Sequence, residues 1–333
     1  MNEAILEVRD LSIDFDGDDG ALRAVDGVSF TIRRGEILGL VGESGAGKTL
    51  TSEAILRLIR CPPGRIGGEI LYRGRDLLQL GEAELADWRG KEIAMIFQNP
   101  IASLNPVFRV GDQLCEAMAI HLAERRRTLR QKTIAILSRV GIPSAAQRAR
   151  DYPHQFSGGM CQRAMIGMGI ACTPSLLIAD EPTTALDVTI QAQILALIRQ
   201  LAAELGMAVL LVSHDLGIIS QMCHRVIVMY AGKIVEEAPM ATIFHAPQHP
   251  YTQGLIACIP PLGDAPARLG SIAGVMPGLG DMPSGCRFHP RCPIAESRCG
   301  VDAPELRMLR DGHRVACHLA GGMCSSSSGR GTG

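Results

Sequence analysis

The chain has 333 residues, of which 47% are hydrophobic, so it is long enough to form one large domain or two ordinary ones around a buried core. Its 33 Lys and Arg residues balance 34 Asp and Glu residues, which gives a formal charge of -1 and argues against a nucleic-acid partner. No apolar run approaches the length of a membrane span, and the N-terminus lacks the pattern of a secretion signal, so we expect a cytoplasmic protein.

The elements of the first half alternate between strands and a helical stretch. Apolar alternation and turn residues predict strands at 5–8, 11–15, 24–32, 37–41, 68–72 and 92–97. A polar, helical stretch follows at about 106–150, in which the basic cluster at 124–127 is expected to be a solvated helix face.

The second half contains three further apolar strands, and its residue composition then changes. The strands are predicted at 175–181, 208–214 and 226–229, with a long helix at 190–205, which favours a mainly parallel sheet covered on both faces. Beyond about 240, proline and glycine become frequent and no strand pattern remains, so we expect a separate small module there. The serine- and glycine-rich residues 325–333 predict a disordered tail.

A phosphate-binding loop is predicted between the strand at 37–41 and a helix. It consists of Gly42, Glu43, Ser44, Gly45, Ala46, Gly47, Lys48 and Thr49, followed by Leu50. Glycines let the backbone curl around an anion and present N–H groups to it, and the helix N-terminus adds a favourable field. Lys48 would reach the β- and γ-phosphates, and the Thr49 hydroxyl would ligate Mg²⁺. The alternative is a chance glycine-rich turn, which both correct flanks disfavour.

Polar residues at the ends of the other strands supply a candidate catalytic set. Asp180 would organise Mg²⁺, and Glu181 beside it would act as the general base on the attacking water. His214 would contact the γ-phosphate, and Gln98 would reach both metal and water. The carboxyl ends of parallel strands meet at one edge, so these side chains are expected to converge with Lys48.

The segment 156–163 contains Ser157, Gly158 and Gly159 at the start of a predicted helix, where it would present N–H groups and a hydroxyl to an anion. In isolation, the same residues could be only a helix cap. In order along the chain, the phosphate loop, Gln98, segment 156–163, segment 176–182, segment 185–187 and His214 resemble the Walker A, Q-loop, signature, Walker B, D-loop and H-switch of an ABC-transporter ATPase.

This resemblance covers about residues 1–240 and implies a P-loop NTPase of ABC type. Such a fold is α/β, with a mixed sheet core, an antiparallel β subdomain and a helical subdomain. The resemblance also implies that Phe15 lies against adenine, and that two subunits pair head to tail with ATP between them. Ser157, Gly158 and Gly159 would then complete the γ-phosphate site of the opposite subunit. Met160 departs from the commonest signature, which carries glutamine there.

Four cysteines define the predicted C-terminal module, residues 241–324: Cys286, Cys292, Cys299 and Cys317. Four thiols in a reducing compartment suggest zinc or an iron–sulfur cluster, and the lack of a C-x₂-C pair weakens a zinc ribbon. Cysteines without a shared ligand are the alternative. His289, His318 and Cys324 are considered substitutes or bystanders.

Segment 244–319 resembles the C-terminal extension of oligopeptide/dipeptide-permease ATPases. That resemblance implies a [4Fe–4S] cluster on the four cysteines, with zinc as the alternative. It also implies an ATPase on the cytoplasmic face of a bacterial inner membrane that powers peptide import. The expected partners are a second, different ATPase subunit that forms a heterodimer with this one, two permease subunits and an extracytoplasmic solute-binding protein. Nickel or another small solute is the alternative cargo, and a soluble ABC ATPase acting on nucleic acid or ribosomes is the alternative of another class.

Overall fold

The computed structural model describes residues 3–17, 20–184, 186–259, 270–310 and 312–321. Its strands are β1 Ala4–Gly17, β2 Gly20–Arg33, β3 Ile37–Val41, β4 Gly64–Tyr72, β5 Arg75–Asp76, β6 Ile93–Ile96, β7 Leu176–Asp180, β8 Ala208–Ser213, β9 Arg225–Tyr230, β10 Lys233–Pro239, β11 Arg307–Arg310 and β12 His313–Val315. Its α-helices are α1 Lys48–Ile55, α2 Glu82–Trp88, α3 Pro100–Ser103, α4 Val110–His121, α5 Arg126–Arg139, α6 Ala145–Arg148, α7 Gly158–Ile170, α8 Val188–Leu205, α9 Leu216–Ser220, α10 Met240–His245 and α11 Pro250–Ala257. Short 3₁₀ helices lie at Pro153–Gln155, Leu279–Asp281, His289–Arg291 and Ser297–Gly300.

Two sheets organise the described part of the chain. One is antiparallel, with the order β2-β1-β4-β5, and the other has eight strands in the order β11-β12-β10-β9-β3-β8-β7-β6. Strands β9, β3, β8, β7 and β6 are parallel, whereas β10, β12 and β11 continue the sheet antiparallel. The predicted mixed sheet and antiparallel β subdomain are therefore present.

The parallel strands are buried on both faces. In β3, Ile37 and Val41 join one hydrophobic cluster, while Leu38 and Leu40 join the other. Successive side chains of a strand point to opposite faces, so a continuous apolar run fills both layers of core. This burial fixes the carboxyl ends of β3, β7 and β8 at one edge, where the polar residues predicted from the sequence follow.

The N-terminal strands differ from the prediction of several short ones. β1 and β2 each run for 14 residues. Their pairing is interrupted by register shifts between Val8 and Leu11, where Asp10 takes a φ of 46°. A β-bulge of this kind carries a strand across a position at which the apolar alternation fails.

The expectation that strands disappear beyond residue 240 is wrong. The hairpin of β11 and β12 extends the main sheet, because Glu236 of β10 pairs with Val315 of β12. These strands escaped sequence analysis because they are short, and β11 is largely exposed and begins and ends with arginine, without apolar alternation.

In the described ranges, no helix combines the length and apolar character needed to cross a bilayer.

Candidate active site

The loop between β3 and α1 is shaped by three glycines. Gly45 and Gly47 adopt φ values of 83° and 96°, a region that residues with a Cβ rarely occupy. A Cβ on Gly42 would lie 2.3 Å from the carbonyl oxygen of Met229 in β9, so the chain can pass there only as glycine. The loop therefore has the tight curl that the sequence predicts for a phosphate cradle.

Lys48 begins α1 and is almost completely buried, with 4% of its surface exposed. Its Nζ donates hydrogen bonds to the carbonyl oxygens of Gly42 and Glu43, at 2.8 and 3.0 Å, so the ammonium group is held inside the curl of the loop. Burial lowers the pKa of Lys48, while the acids Glu181, Asp180 and Glu43 oppose that shift.

Asp180 ends β7 and is 2% exposed. Burial raises the pKa of its carboxyl group to about 6, although a hydrogen bond with Thr49 acts in the opposite direction. Its Oδ1 atom has no hydrogen-bond partner among the described residues, which is uncommon for a buried polar atom. An unpaired carboxylate oxygen beside the Thr49 hydroxyl fits the donor set of a hard divalent cation such as Mg²⁺.

Glu181 follows in a left-handed conformation, with a φ of 44°, which costs a non-glycine residue about 1–3 kcal/mol. Its Oε2 atom accepts hydrogen bonds from Gln98 Nε2 and Thr184 Oγ1, both at 2.9 Å. The Nδ1 atom of His214 lies 3.2 Å from its Oε1 atom. Burial raises the pKa of Glu181, but the hydrogen bonds from Thr184 and His214 and the charge of Lys48 outweigh it and lower the pKa.

A cavity of about 250 Å³ brings several of the predicted residues together. Its wall includes Lys48, Thr49, Gln98 and Glu181, and the other lining residues are Ala24, Ser44, Gly45, Gly47, Leu50 and Leu279. Glu181, which follows β7, and Lys48 of the loop thus face one space, as the parallel-sheet argument predicts.

Several predicted site residues do not line this cavity: Gly42, Glu43, Ala46, Asp180 and His214, besides Phe15 and the segment Ser157, Gly158 and Gly159. Phe15 is half-buried in β1, where its Cε1 atom lies 3.4 Å from the position of a Cβ on Gly64, and it does not line the cavity. Ser157, Gly158 and Gly159 also lie elsewhere: the Ser157 Oγ atom caps α7 by accepting from Met160 N at 3.3 Å. The interpretation of Ser157 as a helix cap therefore holds within one subunit.

Sequence reasoning missed two features of the site. The hydroxyl of Thr184 reaches Glu181 because a turn follows β7, in which Thr184 N donates to the carbonyl oxygen of Glu181 at 3.1 Å. A threonine three residues after a strand-end acid is a usable signal for this turn. Leu279 reaches the cavity from the C-terminal segment, and no sequence signal marks it.

The predicted metal site on the four cysteines is not supported by the structure. Within 3–17, 20–184, 186–259, 270–310 and 312–321, no group of three or more His, Cys, Asp or Glu side chains is arranged to hold a metal ion. Burial raises the pKa values of Cys286, Cys292 and Cys317, and charge interactions within the set add to this, so the four thiols, Cys299 included, lie near one another.

The two histidines considered as substitutes for a cysteine each have one ring nitrogen close to a backbone carbonyl oxygen. A ring nitrogen of His289 lies 3.0 Å from the Cys286 carbonyl oxygen, and one of His318 lies 2.9 Å from the Asp302 carbonyl oxygen. Cys324 and the tail at 325–333 lie outside the described residues, as does Ala185 of the predicted D-loop.

Comparisons with known proteins agree with this geometry. A family profile described as ABC transporter matches residues 25–184, and one described as Oligopeptide/dipeptide transporter, C-terminal region, matches residues 235–299. The chain is 49% identical over 316 residues to the dipeptide transport ATP-binding protein DppD of Escherichia coli (strain K12), which covers 95% of this chain and 96% of that protein. The chain belongs to the ABC transporter ATPases. The family resemblance predicted from the motifs is confirmed.

Other ABC transporter ATPases show the same likeness. The probable peptide ABC transporter ATP-binding protein y4tR of Sinorhizobium fredii is 48% identical over 317 residues, and the match covers 95% of each chain. Among solved structures, the dimeric ATP-binding cassette MJ0796 bound to ADP and Pi superposes with a TM-score of 0.64 at 24% identity, covering 71% of this chain and 98% of that one. That structure supports the fold alone.

Proposed function

We propose that this chain binds ATP with Mg²⁺ and hydrolyses it to drive peptide import through an ABC permease. The single observation that carries the ATPase assignment is the cavity in which Lys48 of the glycine-rich loop faces Glu181, the residue that follows β7. The peptide assignment rests on the relatives, whose names describe dipeptide or peptide transport, and on the matching C-terminal region.

Each residue at the cavity has a proposed task. The loop amides of 42–47 and Lys48 bind the phosphates, while Thr49, Asp180 and Gln98 would hold Mg²⁺. The metal would neutralise charge on the phosphate oxygens and so ease attack at the γ-phosphorus. Glu181 takes the proton of the attacking water on a carboxylate oxygen, and His214 and Gln98 keep that carboxylate in place. Phe15 remains the proposed adenine contact.

The second half of each ATP site is proposed to come from another ATPase subunit. Ser157, Gly158 and Gly159 begin the 13-residue helix α7, whose N-terminal N–H groups favour an anion. They are absent from the wall of the cavity that holds Lys48, so in one subunit they have no phosphate to contact. Pairing two subunits head to tail would give this helix end its ligand.

We expect Ser157→Arg to lower ATP hydrolysis at least about 10-fold, because a bulky cation at the helix N-terminus opposes the field and blocks the phosphate. Binding of a fluorescent ATP analogue to the isolated subunit should change little, since Lys48 and its loop are untouched. Ser138→Arg, an exposed change on α5, is the matched control and should leave both values unaltered. Equal hydrolysis by the two variants would refute the shared site.

An apolar groove beside the Q-loop supports a permease partner. It is lined by Leu58, Met95, Phe97, Met165 and Met168, among others, and 42% of the Phe97 surface is exposed. Phe97 directly precedes Gln98, which donates a hydrogen bond to Glu181. A permease segment that packs in the groove would therefore be linked to the catalytic carboxylate through Gln98. The chain would thus work as a peripheral subunit on the cytoplasmic face of the inner membrane.

Co-purification from detergent-solubilised membranes tests the transport assignment. We expect two permease subunits and a second ATPase, identical or related, to accompany the tagged chain, with the solute-binding protein joining when peptide is added. A nickel importer would give the same subunits but respond to nickel instead of peptides. Recovery with ribosomes or nucleic acid, and without membrane subunits, would favour the soluble class and overturn the proposal.

We further propose that the four cysteines hold a [4Fe–4S] cluster in preference to zinc. Burial raises the pKa values of Cys286, Cys292 and Cys317, and backbone hydrogen bonds to the three sulfurs partly oppose that shift; a bound metal would supply the positive charge that the thiolate forms need. A single zinc ion draws its sulfur ligands to about 2.3 Å from the metal and thus close to one another, whereas a cluster binds each thiolate to a different iron. The preference for the cluster therefore rests on the resemblance of the C-terminal segment to that of oligopeptide/dipeptide-permease ATPases.

Anaerobic purification should therefore yield brown protein with broad absorption near about 400 nm and roughly four irons per chain. Cys292→Ser is expected to lose most of this absorption, while Cys61→Ser, at an exposed cysteine remote in sequence, should keep it. Colourless protein with one zinc per chain would reject the cluster and restore zinc. Colourless, metal-free protein would reject both.

A further inference from the structure

The C-terminal segment lies directly against the phosphate loop. The Cγ atom of Met276 is 3.7 Å from the position of a Cβ on Gly45, and Leu279 lines the same cavity as Lys48. The Tyr251 hydroxyl accepts a hydrogen bond from the N–H of Glu43 at 2.8 Å. The segment after residue 240 therefore forms part of the surroundings of the ATP site proposed above.

One ion pair joins the two regions across 248 residues of sequence. Arg291 Nη1 donates to Glu43 Oε2 at 2.9 Å, and Nη2 donates to Oε1 at 3.2 Å, so the guanidinium binds the carboxylate through both of its terminal nitrogens. The Arg291 side chain is 6% exposed and that of Glu43 is 29% exposed. A bidentate, largely buried ion pair of this kind fixes the orientation of the Glu43 carboxylate and also neutralises its charge.

Arg291 is itself held rigidly. It ends the 3₁₀ helix His289–Arg291, and its Nε donates to the carbonyl oxygen of Ala273 at 2.8 Å. The guanidinium carbon lies 5.7 Å from the ring centre of Tyr230 and 6.0 Å from that of Phe288, within the range of cation–π attraction. These contacts therefore fix the position of the guanidinium group that pairs with Glu43 of the loop.

We propose that Arg291 is a positioning residue of the ATP site, which acts through Glu43; the inference rests on the proposed nucleotide site. The carbonyl of Glu43 holds Lys48 Nζ, so the position of this residue sets the curl of the loop. Its carboxylate is a negative charge within the loop that receives a triphosphate. Arg291 neutralises that charge through the ion pair, so that the loop presents a net attraction to ATP.

Arg291→Met tests the proposal in the full-length protein. We expect the Kd and KM for ATP to rise about 10-fold, which is about 1.4 kcal/mol, with kcat changed less than about 2-fold. The rise should shrink at high salt, because the repulsion left by unpaired Glu43 is partly exposed to solvent and is screened. Arg314→Met is the matched control: Arg314 pairs with Glu237 in the main sheet, away from the loop, and its loss should leave the Kd unchanged.

A second variant separates charge from bracing. Adding Glu43→Gln to Arg291→Met removes the unpaired carboxylate, so ATP affinity should return to within about 3-fold of the wild type. Failure of the double variant to recover affinity would mean that Arg291 only stabilises the fold, and the proposal would be overturned. Unchanged affinity in Arg291→Met would overturn it as well. Wild-type protein that does not bind ATP would instead reject the proposed function itself.

Discussion

Replacing Glu181 by glutamine is expected to slow ATP turnover by about 10²–10⁴-fold, the usual effect of losing a general base. Glutamine keeps an oxygen that can accept from Gln98 and Thr184, so the arrangement around the cavity should persist. It cannot take a proton from water. ATP binding should therefore survive, because Lys48 and the glycine-rich loop are unchanged.

Phosphate release and binding of a fluorescent ATP analogue separate these two effects. Glu53→Gln is the matched control, since Glu53 lies on α1 and its charge acts on Asp180, but it does not line the cavity. We expect that control to retain turnover within about threefold of the wild type, as for changes that leave the reacting groups in place. Wild-type turnover in Glu181→Gln would remove Glu181 from the proposed role, whatever the binding result.

Asp180→Asn is expected to affect activity and stability in opposite directions. Loss of a metal ligand that contributes several kcal/mol of charge stabilisation should reduce turnover by about 10²-fold or more. Without nucleotide, however, the variant should be more stable than the wild type at pH 7. The reason is that burial raises the pKa of Asp180 from 3.8 to about 6 in the folded protein.

The sign of the pH effect follows from this raised pKa. The folded protein holds a proton on Asp180 more tightly than the unfolded chain does, so the resulting stabilisation is complete below about pH 4 and is lost as the pH rises through 6. A shift of this size corresponds to at most about 3 kcal/mol. We therefore expect the free energy of unfolding of Asp180→Asn to exceed that of the wild type by about 1–3 kcal/mol at pH 7. The difference should shrink as the pH falls.

Thermal melts between pH 5 and pH 8 without nucleotide provide the measurement. The advantage of Asp180→Asn should grow as the pH rises through about 6 and disappear or reverse when Mg-ATP is added to both proteins. A variant that melts below the wild type at every pH, or whose higher melting temperature is independent of pH, would show that burial does not raise the pKa of Asp180.

The core of the fold and much of the site could be predicted from the sequence. The apolar runs of β3, β7 and β8 are buried on both faces, so they must lie inside a parallel sheet. The residues that follow these strands and the neighbouring parallel strand β6 share one edge, which is why Lys48, Gln98 and Glu181 meet at one cavity. Local pattern and one topological rule were sufficient for this.

The remaining features depend on contacts that no local pattern records. The hydrogen bond from Thr184 to Glu181 depends on the left-handed backbone conformation of Glu181 after β7. The sequence does not indicate that conformation, because glutamate rarely adopts it. The pair of Glu43 and Arg291 joins positions 248 residues apart, and no local pattern marks these two side chains as partners. The hairpin of β11 and β12 is short and lacks apolar alternation, so its place in the main sheet follows only from packing.

Uptake of a labelled dipeptide into proteoliposomes that contain the purified membrane complex tests the assignment most directly. With ATP on the side of this subunit and the solute-binding protein on the other, we predict uptake that stops in complexes carrying Glu181→Gln. Uptake that continues in that variant without hydrolysis, or hydrolysis that never moves a peptide in the wild type, would contradict the proposed function.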